Sequence, residues 1–145
     1  HMTVTVESFH GSLVDVQVLA HDQDKTTYRR KILLKRQTDQ AVVMFGIVRL
    51  HLEHLAQDVR AEIESRQKPL GRILIEHNVL RRVELGKLWE VTPGPELQRH
   101  FNLSSPEVTF GRTAIIHCND QPAIELVEIV SPPTYRSAHR TRPFV

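Results

Sequence analysis

The sequence predicts an α+β fold built on an antiparallel sheet. Three observations predict it. Most of the chain reads as strands that follow one another directly. Helical periodicity is confined to short interruptions. The strands do not alternate regularly with crossover helices, as a parallel Rossmann-like sheet requires. A length of 145 residues suits one domain. We expect it over residues 3–131, with 132–145 an extended or disordered tail and His1-Met2 the scar of a cleaved tag.

Taken in order, Thr3 to Val6 alternates weakly and reads as a short strand or a frayed end. Gly11-Ser12 is a turn before a strand over Leu13–Ala20, and His21 to Asp24 is a polar connection. Thr27–Lys35 and Ala41–Leu50 are the next strands, the latter richer in β-branched residues. The period then changes. Leu52, Leu55, Val59 and Ile63 recur at helical spacing with charged residues between them, which predicts a helix from about His51 to Arg66. Lys68-Pro69-Leu70-Gly71 breaks it, and Leu70–His77 has room for one or two helical turns. Val79–Val91 is a strand or extended segment. Pro93-Gly94-Pro95 is a turn, and Pro95 suits the first turn of a short helix through His100. Val108–Cys118 and Ile124–Val130 are the last strands, joined by a hairpin loop at Asn119-Asp120-Gln121-Pro122.

Composition narrows the function classes. Lys+Arg number 19 and Asp+Glu 17, and a net charge of +2 is too small to argue for a nucleic-acid partner. No apolar run reaches the roughly 18 residues of a membrane span, and no signal peptide is recognisable. The single cysteine, Cys118, excludes an internal disulfide and any multi-cysteine metal site. These readings describe a cytoplasmic protein with no nucleic-acid or membrane partner. His51 and His54, three apart, read as a solvated helix face, and Cys118 as a small buried apolar residue. The arginines at 81, 82, 136, 140 and 142 read as solvated.

Strand parity singles out three charged residues. Side chains alternate between the faces of a strand. Arg30 therefore shares a face with Ile32 and Leu34, and Arg112 with Ala114 and Ile116, while Glu128 sits between Leu126 and Val130. In the Arg30 strand, the face carrying Arg29, Lys31, Leu33 and Lys35 is the wet one. A charge in an apolar interior costs several kcal/mol unless partnered. Two arrangements escape that cost: a structural ion pair, Arg30–Glu128 or Arg112–Glu128, or a polar pocket for an anionic ligand. Two cations against one carboxylate leave a positive charge over, and guanidinium grips carboxylate through paired hydrogen bonds.

At this point the chain resembles the chorismate lyase family. Gly11-Ser12-Leu13 is similar to the start of that family's first strand, and Tyr28-Arg29-Arg30-Lys31-Ile32-Leu33-Leu34 to its Arg-bearing strand. Pro69-Leu70-Gly71-Arg72-Ile73-Leu74 resembles its Pro-Leu-Gly lid. Phe110-Gly111-Arg112 through Gln121-Pro122 to Glu128 and Pro132 resembles its final hairpin. The resemblance implies a six-stranded antiparallel sheet with helical flaps enclosing a buried site. It implies a cofactor-independent carbon–oxygen lyase that eliminates pyruvate from chorismate to leave 4-hydroxybenzoate. Arg30 would grip the ring carboxylate and Glu128 would face the leaving oxygen as the catalytic pair. Arg112, the backbone N–H of Leu70, Gly71 and Ser12 would complete the substrate-binding set. The chain differs from the family at Val14-Asp15, where a Thr-Arg is usual, at Ile47, and in its short N-terminal segment.

Two other readings share the pocket. The ligand-binding domains of some bacterial transcription regulators have this fold, but they normally follow a DNA-binding domain, for which this chain has no room. A tailoring enzyme, such as a cyclase or dehydratase, is the third. On each, the partner is a small aromatic or cyclic carboxylate. The sequence leaves the oligomeric state open.

Overall fold

The structure is a computed structural model that describes residues 2–133; the expected tail from residue 134 onward lies outside the described residues. Six strands form one sheet in the order β1-β2-β3-β6-β5-β4, with every neighbouring pair antiparallel. They are β1 (Val14–Gln23), β2 (Thr27–Arg36), β3 (Val42–His51), β4 (Leu80–Val91), β5 (Thr109–Cys118) and β6 (Gln121–Val130). The expected α+β class and the six-stranded antiparallel sheet with its helical flaps are what the chain adopts.

The N-terminal segment corrects the sequence reading. Residues Met2–His10 form a helix, α1, not a strand. Thr3 and Val6, three apart, share one helical face and are buried, so packing overrides the β-preference of the alternating Thr and Val residues. Gly11 takes a left-handed φ of 61°, and the Ser12 N–H donates to the Glu7 carbonyl, which closes the helix in a glycine-capped turn.

The helix expected from His51 to Arg66 is shorter. β3 runs on to His51, a 3-10 turn occupies Leu52–His54, and α2 spans Gln57–Ser65. The apolar spacing keeps its purpose, because Leu52, Val59 and Ile63 are buried against the sheet. α3 (Leu70–Glu76) follows Pro69, and α4 (Pro95–His100) begins with Pro95. The β5–β6 hairpin is tighter than expected. Asn119 and Asp120 alone make the turn, both at positive φ, as a two-residue hairpin requires, and Gln121 and Pro122 already belong to β6.

Helices cover both faces of the sheet. On the inner face, α2 and α3 pack over Tyr28, Leu50, Ile116 and Ile124, while Val6 of α1 packs over Ile32, Leu34 and Met44. On the outer face, Phe101 at the end of α4 packs against Leu33 and Phe45. Leu33 is therefore buried, and the face of β2 read as wet is wet only at its charged positions.

A charged chamber beneath two helices

The inner row of the sheet crosses four strands. Arg30 on β2 lies opposite Val48 on β3; Glu128 on β6 lies opposite Gly46 on β3 and Arg112 on β5. Parity placed all three charges on the inner face, and the structure agrees: Arg30 is 2% exposed and Glu128 6%. The Arg112 side chain, at 19%, reaches the edge of solvent.

These charges are not equivalent. Arg112 donates from Nε and Nη2 to Glu128 Oε1, each at 3.4 Å, so the expected ion pair is Arg112–Glu128. Arg30 has no carboxylate partner among the described residues. Its Nη1 reaches the Ile63 carbonyl at 3.5 Å, at the limit of a hydrogen bond, and its Nε is buried without an acceptor. The Tyr28 hydroxyl, one inward position along β2, is likewise buried and unsatisfied. Burial pulls the Arg30 guanidinium below its ordinary pKa, with the nearby Tyr28 oxygen pulling the other way. Burial pushes Glu128 above the usual carboxylate value, against the opposing charge of Arg112.

Beside Arg30 and Glu128 lies a cavity of about 40 Å³. Leu70 and Gly71 of α3 line it, and so do Met2 and Thr3 of α1. Arg112 does not line it and acts on it only through Glu128. Ser12 is not brought to it: it sits in the α1–β1 turn, where its hydroxyl donates to the Leu13 carbonyl. Sequence reasoning missed Gly46, which lines the floor, although a glycine at an inward position of a β-branched strand signals close approach at that point. A Cβ there would sit 3.3 Å from Ile32 Cδ1. It also missed the contribution of α1, because that segment read as extended.

No family model and no curated protein sequence matches the chain. Solved structures do. The effector domain of PhnF from Mycobacterium smegmatis aligns with a TM-score of 0.68 over 90% of this chain and 88% of that one, at 11% identity. The ligand-binding domain of a putative GntR-family transcriptional regulator from Bordetella bronchiseptica aligns at 0.61 over 81% and 85%, at 13% identity. Against a larger PhnF structure, the chain spans only 63% of the regulator's length. At such identities the likeness establishes the fold.

These likenesses overturn the expectation of a carbon–oxygen lyase. The solved structures that the chain resembles here are named as transcriptional regulators and their ligand-binding or effector domains, not as chorismate lyases. Glu128, expected at a leaving oxygen, is held by Arg112, and the cavity beside it has room for about one water at roughly 30 Å³ of liquid volume. The expectation of no nucleic-acid partner is likewise unsupported, since the neighbours are transcriptional regulators. No described helix is long and apolar enough to cross a membrane.

Proposed function

We propose that this chain is the small-molecule-binding module of a cytoplasmic transcription regulator, and that Arg30 holds an anionic group of the effector. The observation that carries this reading is the pairing pattern of the chamber. Arg112 and Glu128 neutralise each other, while Arg30 remains buried without a carboxylate among the described residues. An unpaired buried charge costs several kcal/mol, which a ligand anion would offset on binding. Ile32, Met44, Val48, Ile116 and Leu126 line the remainder, so the ligand presents an apolar body behind its anionic group. Glu128 offers an acceptor to a ligand hydroxyl, and Leu70 and Gly71 close over it. DNA binding would belong to a partner domain whose affinity for its operator the effector alters.

The test is calorimetry with 4-hydroxybenzoate, succinate and glucose 6-phosphate as probes of three anion classes, on the wild type and on Arg30→Met. At least one probe binds the wild type, and Arg30→Met weakens that binding by about 100-fold, a loss of roughly 3 kcal/mol expected for a buried charged hydrogen bond. The same variant unfolds at a temperature equal to or above the wild type's, because it no longer buries an unpaired charge. A folded Arg30→Met that binds the probe as tightly as the wild type, or a wild type that binds none of the three, overturns the reading.

A further inference from the structure

If Arg30 holds an effector anion, as proposed, the effector must first enter the chamber. Ligand pockets typically enclose about 300–1,000 Å³, whereas this one holds about 40 Å³. A wall therefore has to move before any effector can sit against Arg30. The floor is five paired strands of the sheet, held by their ladders. The α3 wall is anchored by Ile73 and Leu74, both fully buried in the main core. The third wall, α1, buries only Thr3 and Val6.

Side chains of α1 tie it to three neighbours: His10 Nδ1 lies 3.3 Å from Arg36 Nη1 on β2, and Glu7 reaches both α3 and the start of β1. The Glu7 carboxylate, 10% exposed, accepts from Arg72 Nη2 on α3 at 2.5 Å through Oε1 and from the Val14 backbone N–H at the start of β1 at 3.0 Å through Oε2. Both oxygens are thus engaged, one on each side of the chamber roof. Gly11, at a φ of 61° with nothing within 4 Å of where a Cβ would stand, joins α1 to β1 and can absorb a change of angle there.

We propose that α1 is a hinged roof latched by Glu7, that an effector reaches Arg30 by releasing the Glu7–Arg72 contact, and that the position of α1 reports whether the chamber is filled. The latch is an element with two arrangements. In the closed one, Thr3 seals the cavity and Glu7 bridges Arg72 and Val14. In the open one, both contacts are given up and the cavity joins solvent. An effector that fits only the open arrangement shifts the equilibrium by its preference for that state.

The experiment is hydrogen–deuterium exchange of the α1 amides, first without ligand. Glu7→Gln speeds exchange in α1 by about tenfold, the equivalent of one charge-assisted hydrogen bond, and leaves α2 and α3 unchanged. Arg72→Gln, which leaves the Glu7–Val14 bond in place, moves α1 the same way by less and guards against a Glu7 variant that fails to fold. Stopped-flow binding of 4-hydroxybenzoate then gives a faster association rate for Glu7→Gln. Wild-type α1 amides that already exchange at unprotected rates, or variants that leave α1 exchange unchanged, overturn the latch. Arg30→Met separates the two readings: it weakens probe binding about 100-fold while α1 exchange stays as in the wild type. If the latch variants respond and no probe binds any of them, the effector reading fails and the mechanical tie stands.

Discussion

The inner face of the sheet carries two roofs of unlike construction. Under α2 and α3 the contact is apolar: Leu50, Ile63, Ile73, Leu74, Ile116 and Ile124 are all buried to 2% exposure or less. Under α1 the cover is a single nine-residue helix with two buried residues, tied by the Glu7 carboxylate to α3 and β1 and by His10 to Arg36 of β2. Arg30 and Glu128 lie where the two meet. Apolar burial on the first side supplies the cooperative core, at about 25 cal/mol per Å² removed from water. The second side supplies a sparsely buried element, and moving parts of binding sites are drawn from elements with few buried contacts.

Truncation sharpens the comparison most. Ile73→Ala is expected to cost about 2–5 kcal/mol, since it opens a void in the tight roof. Val6→Ala, under the thin roof, is expected to cost about 1–2 kcal/mol, the transfer value of two methyl groups. Urea denaturation measures both, and equal losses would erase the distinction between the roofs.

A smaller effect is expected at the junction. Burial raises the pKa of Glu128 in the folded state, so the stability it contributes is fully present below the ordinary value of 4.5 and declines as pH climbs through its folded pKa. Glu128→Gln does not titrate. Its stability relative to the wild type should therefore improve as pH rises from 4 to 8, read from urea midpoints at each pH. A constant difference would mean that Arg112 fully compensates the burial.

The smallest effect belongs to the surface clasp of the tight roof. His77, at the end of α3, faces Glu62 and Asp58 on α2, and Lys68 contacts Glu62 and Glu76 and is pushed up to about 12 by them. The hydrogen bond that His77 donates to the Glu62 carboxylate raises its pKa above 6.5. Its contribution is fully present below pH 6.5 and is lost as pH rises through the raised value. His77→Gln should flatten the melting temperature between pH 6 and 9, and a curve that keeps its slope would place the titration elsewhere.

Much of this was legible from alternation alone. The inward faces of β2, β5 and β6 follow from period-two parity, which located Arg30, Arg112 and Glu128 before any coordinates. Which arginine holds the glutamate was not legible, because it depends on register: only the pairing of β5 with β6 sets Arg112 opposite Glu128. The α1 helix was hidden by its composition, since Thr3-Val4-Thr5-Val6 favours a strand until a core claims Thr3 and Val6 on one helical face. Leu55 fell on the predicted helical stripe yet lies in extended backbone, because β3 continues to His51 and leaves the 3-10 turn to change direction. The resemblance carried the fold correctly and the chemistry incorrectly. The fold follows from patterning along the whole chain, whereas an activity depends on a few atoms and the space between them.

The strand order has a kinetic consequence. β1-β2-β3 and β6-β5-β4 are two antiparallel meanders that meet only where β3 pairs with β6. Arg30 arrives with the first meander, and Glu128 and Arg112 arrive with the second. That seam joins residues some eighty positions apart, such as Gly46 and Glu128, and so carries the heaviest loop-closure entropy in the sheet. The half-site bearing Arg30 can therefore assemble early during synthesis, while the complete set of charges comes together only when the last hairpin docks.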